Sequence, residues 1–236
     1  MAFKANGRRL PVRGSTGPEP ESRAYLQDYA ALLDAVSFPS LVLDHRWNVV
    51  HANDAFDALF GAVTPHPTAM PGDNFLRFVL FHPDAGSVLA DRETSWCLPM
   101  LAHFTEAIER HPDDEELWAV RRAIADDPIM DAAFRDGLPR WIRAVGLDAV
   151  ANDGALRPLT HPDPRWGQTY CRVVGETPRT LQALGLSRLT LVLREPRRAP
   201  EPRPGGGRAP PPPPPPAARG GPGRAGGGGR GGGGGA

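Results

Sequence analysis

The residues able to do chemistry are few and scattered. Of the seven histidines, His82, His111 and His161 are each followed by Pro-Asp. Proline fixes its own φ and aspartate bonds to nearby backbone N–H groups, so these tripeptides read as turns and caps rather than reactive groups. His103 and Glu106 have the His-x-x-Glu spacing of a helix-borne metal pair, yet no second histidine lies one turn away to complete a site. A haem would need an axial histidine, for which His103 is the best placed. Cys97 and Cys171 lie far apart without metal-ligand spacing, and free thiols in a reducing cytosol account for them. The chain has no Gly-x-Ser-x-Gly elbow, no phosphate loop and no Gly-x-Gly-x-x-Gly between a strand and a helix. The expectation is a protein that is not an enzyme and has no cofactor and no metal.

The elements that would position any site begin with FPSLVLDHRWNVVHANDAFDALFG, Phe38 to Gly61. Ser40–Leu43 and Trp47–Val50 are apolar runs of strand length, with Asp44, His45 and Arg46 as the turn between them. Asn53 suits a helix N-cap, and Asp54 puts negative charge in the first turn, where the helix dipole favours it. Ala55, Phe56, Leu59 and Phe60 share one face, and Gly61 is the expected stop. Ahead of this stretch, a helix is expected from Ser22 to about Val36, with Leu26, Tyr29, Ala30 and Leu33 as its apolar stripe.

After the Pro-rich loop that follows Gly61, NFLRFVLFHP favours a short helix capped by Asn74, with Arg77 its lone polar residue. Cys97, Met100, Leu101, Phe104 and Ile108 keep helical spacing, which requires Pro99 in or near a first turn. HPDDEELWAVRRAIA has acidic residues at its start and arginines near its end, as the helix dipole prefers. Asp127 and Pro128 open a further helix that Gly137 should end, and LPRWIRAVGL adds a turn or two. From Gly154 the period changes: ALRPLTHP, QTYCRVV and SRLTLVLRE read as strands. Two strands, a helical insert and three strands give an α+β domain with one antiparallel sheet.

Composition frames this domain. The formal net charge is +0, but residues 24–193 hold 14 basic and 23 acidic residues, leaving 13 basic and four acidic in the flanks. An acidic body repels nucleic acid, so the folded part is not expected to bind DNA. Residues 1–22 lack periodicity, and 195–236 are rich in Pro, Gly and Arg; both are expected to be disordered around a domain at 23–194. No apolar run approaches the roughly 18 residues of a membrane helix, and no signal peptide stands at the start. With Lys4 the only lysine amid abundant Ala, Gly and Pro, the coding bias points to a GC-rich bacterium. A cytoplasmic location is expected.

The opening strand–turn–strand–capped helix resembles the start of PAS-type sensor domains. VLDHRWNVVHAN, then NFLRFVLFHPDA, then Trp96 ahead of ERHPDDEELWAVRRAI, narrow this. In that order they resemble the ligand-binding domain of MmyB-like transcription regulators, as does the later His161-Pro162 before a strand. The resemblance runs from about Leu32 to Leu193. It implies a PAS-like five-stranded antiparallel sheet with a helical insert between strands 2 and 3. It also implies a bacterial regulator whose ligand is a hydrophobic small molecule, with fatty acid the leading class. The insert supplies Phe75, Phe78, Trp96, Met100, Phe104 and Phe134 as ligand contacts, and Arg77 or Arg143 could pair with a carboxylate head.

Members of the family typically carry an N-terminal helix-turn-helix of the Xre type, whereas only a short polar lead precedes the first helix here. DNA would therefore be reached through a missing or separate module, and an in-frame helix-turn-helix upstream of Met1 would reveal one. A homodimer is a further expected partner, and the alternative reading is a PAS-like interaction scaffold whose tail recruits proteins.

Overall fold

A computed structural model describes residues 20–146 and 153–194. The expected disordered lead and Pro/Gly/Arg-rich tail lie outside these residues, except that 20–22 open the first helix. Helix α1 spans Pro20–Asp34. Proline suits a first helical position because it has no N–H to leave unsatisfied, so Ser22 lies within the helix instead of capping it. Strand β1 is Ser40–Asp44 and β2 is Val49–Ala52, the latter two residues later than its apolar run suggested. Asp44 is the cause. Its Oδ1 accepts the N–H groups of Arg46 at 2.8 Å and Asn48 at 2.9 Å, curling 44–48 into a loop in which Trp47 has φ +61°.

Helix α2, Asp54–Phe60, is capped by Asn53 as expected. Gly61 ends it in a right-handed conformation, φ −63°, where a larger residue would be tight: a Cβ there would lie 3.1 Å from the Asp57 carbonyl oxygen. The insert continues with α3 at Phe75–Phe81 and α4 at Ala85–Val88. A π-turn at Arg92–Cys97 runs directly into α5, Leu98–Arg110. Then come α6 at Glu115–Asp126 and α7 at Pro128–Ala132, both capped by aspartate side chains.

Gly137 does not end this last helix. The chain passes through a second π-turn, Ala133–Gly137, into α8 at Leu138–Val145. The turn is reached at Gly146, which has φ +80°. Both π-turns precede Leu-Pro, at Leu98-Pro99 and Leu138-Pro139. Proline offers no N–H and its ring crowds the carbonyl four residues back; a wider turn relieves that clash without breaking the helix. At Gly137 a Cβ would meet the Leu98 side chain at 3.3 Å, so glycine lets the two joints pack together.

Strands β3 (Leu156–Thr160), β4 (Gln168–Glu176) and β5 (Leu186–Arg194) follow, with α9 (Arg179–Ala183) in the last connection. The five strands pair antiparallel in the order β2-β1-β5-β4-β3. This is the expected PAS-like α+β arrangement, with α2 to α8 between β2 and β3. The sheet's inner face presents Leu41, Leu43, Leu159, Cys171, Val173, Leu191 and Leu193 to the insert helices, in one main core. A smaller cluster lies on the other face, where Leu33 of α1, Val42 and Leu181 meet.

Candidate ligand-binding site

The site is built outward from the β1–β2 loop. Asn74 caps α3 by accepting the Arg77 N–H at 2.9 Å, and its Nδ2 donates to the Arg46 carbonyl and to Asn48 Oδ1, each at 2.9 Å. Backbone bonds from Val49 N–H to Asp73 O, 2.9 Å, and from Phe75 N–H to Trp47 O, 3.0 Å, complete the stitch. α3 therefore starts where the sheet's own loop holds it. It delivers Phe75 and Phe78 into an aromatic group with Phe56 and Phe60 of α2, with ring centroids 4.7 to 6.3 Å apart. Edge and tilted contacts of this kind suit the ring quadrupoles.

Arg92 ties the next element to α3, its Nε donating to Val79 O at 2.8 Å and its Nη2 to Leu80 O at 2.6 Å. These carbonyls end α3, where a cation also meets the negative pole of the dipole. The π-turn so anchored buries Trp96, whose Nε1 donates to Pro158 O of β3 at 3.0 Å. Met100 and Phe104 follow on α5, with Phe104 6.5 Å from Trp47 between ring centroids. Phe75, Phe78, Trp96, Met100 and Phe104 thus converge in the main core, and Phe134 of the second π-turn packs against its edge. The Arg121 guanidinium lies over the Phe134 ring at 4.4 Å.

The two arginines expected to meet a carboxylate do not join this group. Arg77 is half-buried between the inward residues Leu76 and Phe78, and Arg143 is exposed on α8.

Three arrangements here were not foreseen. First, Asn53 is more than a cap. Its Oδ1 accepts both Phe56 N–H and Ser40 N–H at 3.0 Å, while Nδ2 reaches the carbonyls of Leu33 at 3.2 Å, Val36 at 2.9 Å and Phe38 at 3.0 Å. Second, Asp114 of the His-Pro-Asp-Asp start caps α6 through Oδ1, while Oδ2 accepts from His45 Nε2 at 2.9 Å and Arg46 Nε at 2.7 Å. A carboxylate only accepts, so His45 carries its proton on Nε2. Burial raises the Asp114 carboxyl, yet the His45 and Arg46 bonds with the Leu117 N–H hold it at about 2. Arg46 also pairs with Glu116, and His45 lies 4.4 Å from the His111 ring.

Third, two polar side chains reach deep positions. Arg157 on β3 is only 4% exposed, points inward opposite Cys171, donates to the Ser95 carbonyl and lies 5.4 Å from the Trp96 ring. Burial lowers its guanidinium to about 10. On α5, His103 Nε2 is buried without a hydrogen-bond partner among the described residues. Burial pushes His103 down, Arg157 and Arg110 push the same way, and Glu106 opposes them.

Burial also pushes Cys97 up to about 11 and Cys171 to about 12, so both are thiols at neutral pH and poor nucleophiles. His82 and His161 close their own turns, each Nδ1 accepting the N–H two residues on, at 3.0 and 2.9 Å. Among the described residues no group of three or more His, Cys, Asp or Glu could hold a metal ion, and no helix is long and apolar enough to cross a membrane.

Compared with known families, residues 27–136 match the MmyB-like transcription regulator ligand binding domain. The match covers most of α1, strands β1 and β2, and the insert as far as the second π-turn, ending before β3. No curated protein matches the chain.

Proposed function

We propose, from the match of residues 27–136 to the MmyB-like transcription regulator ligand binding domain, that the chain is a non-enzymatic sensor that takes up a fatty-acid-like molecule to regulate transcription. The observation that carries this reading is the convergence of Phe75, Phe78, Trp96, Met100 and Phe104, from three separate insert elements, on one apolar region under the sheet. Such a region needs little polar code to hold an acyl chain. Burial contributes about 0.8 kcal/mol per CH₂, so twelve methylenes offer roughly 10 kcal/mol before ordering costs. These side chains close on one another, so a ligand has to part them and thereby favour one packing of the insert over another.

The route outward is short. Phe78 and Phe75 touch Phe60 and Phe56, which α2 carries, and Asn53 joins the start of α2 to the end of α1. In a regulator, α1 would pass the shift to a DNA-binding module, separate or encoded upstream. A bacterial cytoplasm suits this role.

The test is to purify the full chain, extract it under denaturing conditions and search the extract by mass spectrometry, then titrate stripped protein with dodecanoic acid. A chain that neither carries nor takes up any lipid or aromatic molecule would sink the reading. A homodimer is a compatible arrangement, favoured by Leu156 and Tyr170, 50% and 59% exposed on the sheet's outer face. Light scattering of Tyr170→Glu against the wild type decides whether that face pairs.

A further inference from the structure

The apolar side chains under the sheet close on one another, so a molecule from solvent reaches them only where the shell around them parts. Two joints of that shell are firmly sealed. Main-chain bonds stitch α3 to the β1–β2 loop, and the bond from Trp96 Nε1 to Pro158 O holds the first π-turn to β3. The joint between the 44–48 loop and the corner where α5 turns into α6 is closed differently. Among the described residues no backbone hydrogen bond crosses it. Instead Asp114 Oδ2 accepts from His45 Nε2 and Arg46 Nε, Arg46 Nη1 reaches Glu116 Oε1 at 2.9 Å, and the His45 ring lies against that of His111. The side chains of His45, Arg46 and Glu116 are 37%, 33% and 63% exposed. Water can take the place of such partners, so this joint opens at a smaller cost than the other two.

Next to Arg46 in the chain, Trp47 is half-buried, packs against the main core and faces Phe104 of α5. Its φ of +61° is a left-handed conformation that a bulky residue rarely adopts. Bonds from Trp47 N–H to Asp44 O and from Phe75 N–H to Trp47 O, both 3.0 Å, hold it there. Strain of this kind persists only where the surroundings over-determine it, and here it sets the indole between the sheet's loop and α5. We propose that this seam is the ligand's way in: the α5–α6 corner swings from the 44–48 loop when Asp114 releases His45 and Arg46, opening a path past Trp47 to Phe104. The inference rests on the lipid-sensing reading above and adds a gate to it.

A gate differs from a ligand contact in its kinetics. The latch is closed both before and after uptake, so weakening it speeds entry and exit alike and leaves affinity where it was. The experiment is stopped-flow mixing of the stripped full chain with cis-parinaric acid, a fatty acid that fluoresces when bound, followed by displacement with excess dodecanoic acid to read exit. Arg46→Met is expected to speed both rates about fivefold while Kd stays within about twofold of wild type. Asp114→Asn, which keeps an oxygen to cap α6, should do the same. Arg165→Met, which breaks an exposed ion pair in the β3–β4 turn, should change neither rate. Unchanged rates in both latch variants, or equal acceleration by Arg165→Met, overturn the gate and leave the apolar site standing. A changed Kd with unchanged entry also overturns it, since Arg46 would then be a ligand contact. Failure of both fatty acids to bind overturns the lipid-sensing reading and the gate with it.

A second measurement needs no variant that might misfold. In wild-type protein, exit of cis-parinaric acid should quicken as sodium chloride is raised, because salt screens the exposed part of the latch. Exit that is indifferent to salt overturns the assignment.

Discussion

Exchanging Asn53 for aspartate separates two roles that alanine would merge. As a helix cap alone, asparagine is replaceable by aspartate at little cost. Here the amide nitrogen also serves the carbonyls of Leu33, Val36 and Phe38, which a carboxylate would repel. Asn53→Asp is therefore expected to cost about 3 kcal/mol in urea unfolding, nearly as much as Asn53→Ala, because buried carbonyls lose their donor. Near-wild-type stability of the aspartate variant would reduce Asn53 to a cap. Asp114 makes a prediction in pH. Its folded pKa, about 2, lies below that of a free aspartate, so its contribution is present above roughly pH 4 and fades as pH falls toward 2. That contribution is on the order of 2 kcal/mol. Asp114→Asn should be less stable than wild type at pH 6, and the gap should close on acidification toward pH 2; a gap independent of pH would refute the linkage.

At the scale of elements, what could be read from the sequence was what neighbours decide. Asn53, Asn74 and Asp127 cap helices because capping is settled within three residues. The two π-turns were not visible in apolar spacing, which tolerates one extra residue per helix. The repeated Leu-Pro was the available signal, and Gly137 was misread as a stop because its packing partner, Leu98, lies far away in the chain. Arg157 escaped notice because no local pattern marks an arginine as buried, and it is 4% exposed. Arg92 is the test at this scale. Its bonds to Val79 O and Leu80 O join the first π-turn to α3. Arg92→Ala should lose about 2 kcal/mol, with Arg92→Lys recovering less than half, since an ammonium cannot span both carbonyls. Full rescue by lysine would mean that charge alone matters.

For the whole molecule, the proposed sensor makes α1 the reporter. Binding of dodecanoic acid should raise the melting temperature by mass action and slow hydrogen exchange at amides 33–40, which adjoin Asn53, more than at β3. Exchange that slows only around the insert would leave uptake intact but remove α1 from the response. The sheet itself was foreshadowed by the strand–insert–strand order, yet its pairing was not, because β1 meets β5 rather than a neighbour in the chain.

That pairing governs how the protein is made. Ser40 and Thr190 touch through their hydroxyls across 150 residues, so the centre of the sheet closes only after almost the whole domain has left the ribosome. Until then α1, β1, β2 and the insert can assemble through short-range bonds, while β1 keeps one edge open and the insert's sheet-facing apolar surface lies uncovered. Open edges and bare apolar surface are what growing chains aggregate through. The segment 27–136, although it carries the whole family match, should consequently aggregate when produced alone, whereas 20–194 should fold. A monomeric, cooperatively melting 27–136 would show that the last three strands are dispensable.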